Sequence, residues 1–117
     1  MFDPEEVAQI KRELDTIQNR CPGDIRVSLQ VFAIRGPSVL GGFMRALLSN
    51  NLRDAVSRAD NTNKAKLADI VTYCEHFLLP TTWGSQASLD AFQKRIDEEE
   101  ATDEFLARHG HGQQEAA

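Results

Sequence analysis

The sequence predicts an all-α fold, a compact bundle of about five short helices followed by a flexible acidic C-terminal tail. Its 117 residues suffice for one domain. Apolar residues recur every three or four positions in most segments, as they do on amphipathic helices. A single segment alternates like a strand, and a lone strand leaves its edges unsatisfied. We therefore expect one helical domain over residues 1–108 and a disordered tail over residues 109–117.

The N-terminal segment is typical of a helix of about 16 residues. Asp3 can cap its start, and Pro4 suits the first helical position. Its apolar stripe has spacings of three, four and three: Val7, Ile10, Leu14 and Ile17. The sequence Cys21-Pro22-Gly23 is expected to end it.

Residues 24–34 are ambiguous, because their apolar residues fit two periodicities. Alternate positions from Ile25 to Ala33 are apolar and rich in β-branched residues, as in a half-buried strand. Ile25, Leu29 and Phe32 equally fit one face of a helix capped by Asp24. Because the chain offers no second strand candidate, we predict a helix.

The rest of the chain predicts four further helical segments, separated by polar breaks. Ser38 is expected to cap the first, which ends at Leu48, and a short helix follows from Leu52 to Ala59. The turn 60–63 precedes a strongly apolar helix that ends near Leu78. Ser85 can cap the last helix, which carries Leu89, Phe92 and Ile96.

Composition and charge exclude several classes of function. The net charge is −5, and such an acidic balance disfavours non-specific nucleic-acid binding. No apolar stretch approaches the length of a membrane span, and the N-terminus lacks the basic start of a signal peptide. Two cysteines, Cys21 and Cys74, form neither a disulfide framework nor a zinc motif. We expect a cytoplasmic protein without membrane contact.

No constellation of residues predicts catalysis, so we do not expect an enzyme. Cys74 and His76 are two positions apart on a helix and point away from each other, and Cys74 belongs to the apolar face. His109 and His111 lie in the predicted tail, where two ligands would hold a metal poorly. No glycine-rich phosphate loop is present. We expect no catalytic residue, no metal and no cofactor.

One corner of the sequence is a candidate ligand-binding site. Arg53, Asp54, Arg58 and Asp60 concentrate hydrogen-bonding groups near a helix terminus. The next helix is expected to begin near Asn63 with its amide donors free, so a carboxylate or phosphate could bind there. The alternative is structural, because Asp54 and Arg58 can pair on the surface while Asp60 caps a helix. Trp83 could stack on a ligand, anchor a protein interface or fill the core.

The C-terminal region is the candidate protein interface. Residues 91–117 carry seven acidic and three basic residues, whereas residues 21–60 carry five arginines against three aspartates. The interface candidates are Glu98, Glu99, Glu100 and Phe105. The same acidic run also fits an ordinary solvated helix face.

An ordered set of residues between Gly36 and Ser85 resembles a group of short phage proteins. The set comprises Gly42-Phe43, Ala46-Leu47-Leu48-Ser49-Asn50, Leu52, Ala55, Arg58-Ala59-Asp60, Asn63, Leu67, Ile70-Val71 and Trp83-Gly84-Ser85. It is similar to a family of largely uncharacterised tailed-phage and prophage proteins. Asn51, Gln86 and Glu75-His76 depart from the family, which tends to have Asp, Pro, and an aromatic residue followed by Asn there. The resemblance covers about 50 of the 117 residues and implies a phage setting inside a bacterium, without a mechanism.

Two hypotheses of function follow. In the first, a non-enzymatic phage-type protein binds a host or phage protein, as a host-takeover or counter-defence factor. In the second, a pocket formed by Arg53, Arg58, Asp60, Asn63 and Trp83 sequesters a nucleotide-like defence signal. In either case, a chain this small can complete its core as a homo-oligomer.

Overall fold

The computed structural model describes residues 3–109, and within this range the chain is all-α, as predicted. It contains two short 3₁₀ helices, Pro37–Val39 and Pro80–Thr82. The α-helices are α1 (Pro4–Arg20), α2 (Gly23–Arg35), α3 (Gly42–Leu48), α4 (Leu52–Arg58), α5 (Asn61–Ala65), α6 (Leu67–Phe77) and α7 (Gln86–His109). The described residues form seven α-helices, whereas about five were expected. One reason is a turn at Lys66, which separates α5 from α6, although the sequence predicts a single helix there.

Helix α1 begins as predicted and joins the core only near its end. The Asp3 carboxylate accepts a hydrogen bond of 2.8 Å from the Glu6 backbone N–H. Ile17 packs against the core, whereas Val7 and Ile10 are exposed. No residue within Pro4–Arg20 is buried. Among the other described helices, α1 packs mainly against α6. The N-terminal half of α1 therefore extends past the core.

The ambiguous segment is a helix, and its predicted inner face is buried. Ile25, Leu29 and Phe32 of α2 point into the core. The prediction that Asp24 caps this helix is wrong, because the helix begins one residue earlier, directly after the extended Pro22, and has no side-chain cap. The predicted cap at Ser38 is also wrong, because Pro37 starts a separate 3₁₀ helix there.

The core lies where α2, α3, α6 and the first half of α7 meet. Phe32 of α2 contacts Phe92 of α7 edge to face, with ring centroids 5.2 Å apart. The Ser38 backbone N–H donates to the Gln93 side-chain oxygen at 2.9 Å, which ties α7 to the first 3₁₀ helix. The buried apolar residues include Cys21, Ile25, Leu29, Phe32, Met44, Ala46, Leu47, Leu48, Ala55, Ile70, Tyr73, Cys74, Leu78, Leu89 and Phe92.

Two asparagines connect α3 to α4. Asn50 adopts the left-handed conformation, with φ of 64°, that often ends a helix. The backbone N–H of Asn51 donates a hydrogen bond of 2.9 Å to the Ala46 carbonyl. The backbone N–H of Asn50 donates one of 3.1 Å to the Leu47 carbonyl. The Asn51 side chain then caps α4 by accepting from the Asp54 N–H. One turn thus ends α3 and starts α4, which fixes where Arg58 lies.

The described molecule is flat and extended. Its radius of gyration is 18.3 Å, and its extents are 54 × 44 × 22 Å. A compact domain of 100 residues has a radius of about 13 Å. The excess reflects α1 and α7, which run beyond the core at opposite ends of the chain. The expected bundle is therefore helical but less compact than predicted.

None of the helices described within residues 3–109 combines the length and apolarity that crossing a membrane requires. The predicted tail lies outside the described residues, apart from His109, at which α7 ends.

Candidate functional site

A shallow cleft lies between α3, α4 and the start of α7. Its volume is about 260 Å³, which is slightly below the range of roughly 300–1,000 Å³ typical of small-molecule sites. Its described lining residues are Gly42, Arg45, Ala46, Ser49, Asn51, Asp54, Arg58 and Gln86. Of the five residues predicted to form the ligand pocket, Arg58 alone is among them.

Arg58 is held in this cleft by two contacts. Its Nε donates to both carboxylate oxygens of Asp54, at 3.2 and 3.1 Å, in the surface pair that the sequence allowed. One terminal nitrogen lies over Gly42, where a Cβ atom would come within 2.9 Å of it. The absence of a side chain at Gly42 therefore lets the guanidinium approach α3 closely. The ion pair is half exposed, so its contribution to stability is small.

Three other predicted ligand-binding residues lie outside the lining of the cleft. Asp60 caps α5 by accepting a hydrogen bond of 2.7 Å from the Asn63 backbone N–H. This is the structural alternative that the sequence left open. Asn63 is half-buried on α5, and Arg53 is exposed on α4.

Trp83 packs against the core and stands in the loop before α7. Its side chain is half-buried, and its indole Nε1 is buried without a hydrogen-bond partner among the described residues. The next residue, Gly84, has a φ of +100° and donates its N–H to the Leu48 carbonyl at 2.7 Å. Ser85 then caps α7 by accepting from the Ser88 N–H at 3.0 Å, as predicted. The loop thus joins the end of α3 to the start of α7.

The predicted protein interface lies on a part of α7 that leaves the core. Ile96 is the last residue of α7 that packs against the core, and residues 97–108 are all exposed. We call residues 97–108 the acidic arm, because they hold six carboxylates and one arginine. Glu98, Glu99, Glu100 and Phe105 all lie on this arm. The structure therefore brings the four predicted interface residues together on one projecting helix.

The thiols of Cys21 and Cys74 are buried and poorly reactive as nucleophiles. Burial raises the pKa of Cys21 to about 11 and that of Cys74 to about 12. Both thiols therefore stay protonated near neutral pH, and a protonated thiol is a poor nucleophile. The His76 ring nitrogen Nδ1 is hydrogen bonded to the Thr72 carbonyl at 2.9 Å.

Comparison with known proteins does not place the chain in a family. No family model, curated protein or solved structure matches the chain. Within residues 3–109, no three His, Cys, Asp or Glu side chains gather in a way that could hold a metal ion.

The sequence did not single out four polar residues of the cleft, of which Asn51 caps α4. Arg45 lies on α3 and donates to the Pro37 carbonyl at 2.9 Å. Ser49 ends α3, and Gln86 begins α7. The approach of Gln86 to α3 depends on the loop from Trp83 to Ser85, so no local pattern would have revealed it.

Proposed function

We propose that this chain is a non-enzymatic binding protein of phage type that acts on a host or phage protein by direct contact through its acidic arm. The observation that carries the proposal is the exposure of residues 97–108, a continuous helix that holds six carboxylates beyond the core. A role in host takeover or counter-defence, in the cytoplasm of a bacterium, follows from the resemblance to phage proteins.

The charges on the arm favour a basic partner. Glu99 and Asp103 are four positions apart, as are Glu100 and Glu104, and like charges at this spacing destabilise a helix. A partner surface rich in Lys and Arg would relieve this repulsion and steer the encounter. Phe105 and Leu106 are large, exposed apolar side chains on the same arm, and such side chains often anchor interfaces.

A charge-reversal experiment tests this proposal. The triple variant Glu98→Lys, Glu99→Lys, Glu100→Lys should reduce partner recovery from phage-challenged bacteria about tenfold or more, which corresponds to about 1.4 kcal/mol. The control variant Glu13→Lys, Asp15→Lys, Glu75→Lys changes the net charge equally at exposed sites on α1 and α6, and should bind normally. Unchanged partner recovery in the arm variant and in Phe105→Ala would end the proposal.

The alternative function is sequestration of a nucleotide-like signal. The observation that favours it is the cleft, where Arg58 and Arg45 lie near the start of α7. Arg guanidinium groups bind phosphate well, and helix N-termini favour anions. Arg58→Ala should then abolish an adduct of a few hundred daltons in native mass spectrometry, whereas Arg53→Ala, outside the cleft lining, should retain it. An adduct that survives Arg58→Ala in a folded protein would exclude this site.

A further inference from the structure

Helix α2 is apolar on two opposite faces. Its inner face is buried in the core, as described above. Its outer face carries Val27, Val31 and Ile34 at spacings of four and three, which place them along one stripe. Val27 is 58% exposed and Ile34 is 75% exposed, while Val31 is half-buried. An apolar helix face normally packs against another element, so a second apolar face needs a second partner.

The shape of the molecule leaves this stripe at the surface. The described chain is only 22 Å thick, which is about two helix diameters. Two layers of helices can cover the inner face of α2, and the exposure of Val27 and Ile34 shows that these two residues of the outer face are not covered within one copy. Single exposed apolar residues are ordinary, whereas Val27 and Ile34 lie on one stripe with Val31 between them, so the stripe is a candidate interaction surface.

Two charges at the ends of α2 indicate what covers the stripe. Asp24 lies in the first turn and Arg35 in the last turn, and both are exposed. At 3.6 residues per turn, Asp24, Val31 and Arg35 lie along the same edge of the stripe. Neither charge forms an ion pair within residues 3–109. The stripe therefore has one acidic and one basic end.

We propose that a second copy of this chain covers the stripe, with the two α2 helices packed antiparallel about a two-fold axis near Val31. In this register Val27 of each copy packs on Ile34 of the other. Asp24 of each copy lies within reach of Arg35 of the other, because their offset is about two residues, or 3 Å along the axis. A parallel pair would instead place like charges together at both ends. Charge complementarity therefore selects the antiparallel dimer, which is independent of the acidic arm and of any function proposed for it.

Sedimentation analysis over a range of concentrations tests the surface. The native chain should form a dimer, and Ile34→Glu should weaken it about tenfold or more, because the new carboxylate would be buried unpaired. Leu79→Glu is the matched control, because Leu79 is 71% exposed but lies outside α2, and it should remain dimeric. A monomeric native chain at every concentration, or a dimer that Ile34→Glu leaves intact, would overturn the proposal.

Disulfide cross-linking tests the register. The double variant Val27→Cys, Ile34→Cys should form a covalent dimer under mild oxidation. The two positions within one helix are about 10 Å apart, which is too far for an internal disulfide. Val27→Cys alone should cross-link poorly, because its partner position is Ile34 of the other copy. Efficient cross-linking by Val27→Cys alone would refute the antiparallel arrangement.

Discussion

At the residue scale, the turn between α3 and α4 shows how few positions determine the local chain path. Asn50 supplies the left-handed conformation that ends α3, and Asn51 supplies both a backbone donor and the cap of α4. The sequence predicted an interruption at these residues. The sequence could not show which asparagine adopts the left-handed conformation and which one caps α4, because either residue tolerates that conformation.

The first prediction concerns Asn50. Asn50→Val should lower the free energy of unfolding by about 1–2 kcal/mol, because a β-branched residue is strained in the left-handed conformation. Asn50→Gly should keep or raise stability, since glycine adopts that conformation without strain. Urea unfolding of the three proteins measures the difference. Equal stability of the valine and glycine variants would show that the turn does not have this geometry.

The second prediction is a loss of stability in alkaline solution. Burial raises the pKa of Cys21 to about 11 and that of Cys74 to about 12, from the ordinary thiol value of 9.0. Between pH 9 and those values the unfolded chain releases thiol protons that the folded chain keeps. The free energy of unfolding should therefore fall as the pH rises above about 9. Urea unfolding across this range should show a shallower fall in the double variant Cys21→Ala, Cys74→Ala, and an identical fall would contradict the burial of the thiols.

At the element scale, amphipathic helices were the easiest part of the fold to predict. The stripe of α1 and the apolar face of α6 have a clear helical period, and both segments are helices. Residues 24–34 were ambiguous because α2 is apolar on two faces, so its pattern also fits alternation. Only the lack of a second strand decided the assignment. The predicted caps at Asp24 and Ser38 were wrong because each residue lies inside a helix that begins one residue earlier, at Gly23 and at Pro37.

The third prediction tests the loop that joins α3 to α7. Gly84→Ala should lower the free energy of unfolding by roughly 1–3 kcal/mol, because a φ of +100° is strained for any residue with a side chain. Gly41→Ala is the control, since a Cβ at Gly41 meets open space and its φ is −78°. Thermal unfolding followed by circular dichroism compares them. Equal losses in the two variants would contradict the loop conformation.

The fourth prediction tests whether the acidic arm is separate from the core. A chain that ends after Asp97 should lose less than about 1 kcal/mol of stability, because exposed segments with few packed contacts add little to the global free energy of unfolding. Truncation one turn earlier, after Gln93, removes Ile96 from the core and should cost more. Chemical unfolding of both truncated chains gives the comparison. A large loss in the longer chain would mean that the arm packs against the fold.

At the scale of the whole molecule, the sequence predicted the class of fold but not its shape. Helical periodicity and charge identified an all-α chain and placed its acidic residues on the last helix. The flat outline depends on which helices contact one another across long separations, as at Ser38 and Gln93, and local patterns do not contain that information. For the same reason, the predicted ligand-binding corner included Arg58 but missed other polar residues that line the same cleft. Three of these residues, Arg45, Ser49 and Gln86, come close to Arg58 only through tertiary contacts.

Native mass spectrometry of the untagged protein, purified from bacteria challenged with a tailed phage, tests directly whether the acidic arm binds a partner protein. If the protein acts through its acidic arm, the native chain should carry a stoichiometric second protein. That mass should disappear in Glu98→Lys, Glu99→Lys, Glu100→Lys and persist in the control variant with three reversals on α1 and α6. A chain that carries no second protein, or a second protein that survives reversal of the arm, would show that the protein does not act through this surface.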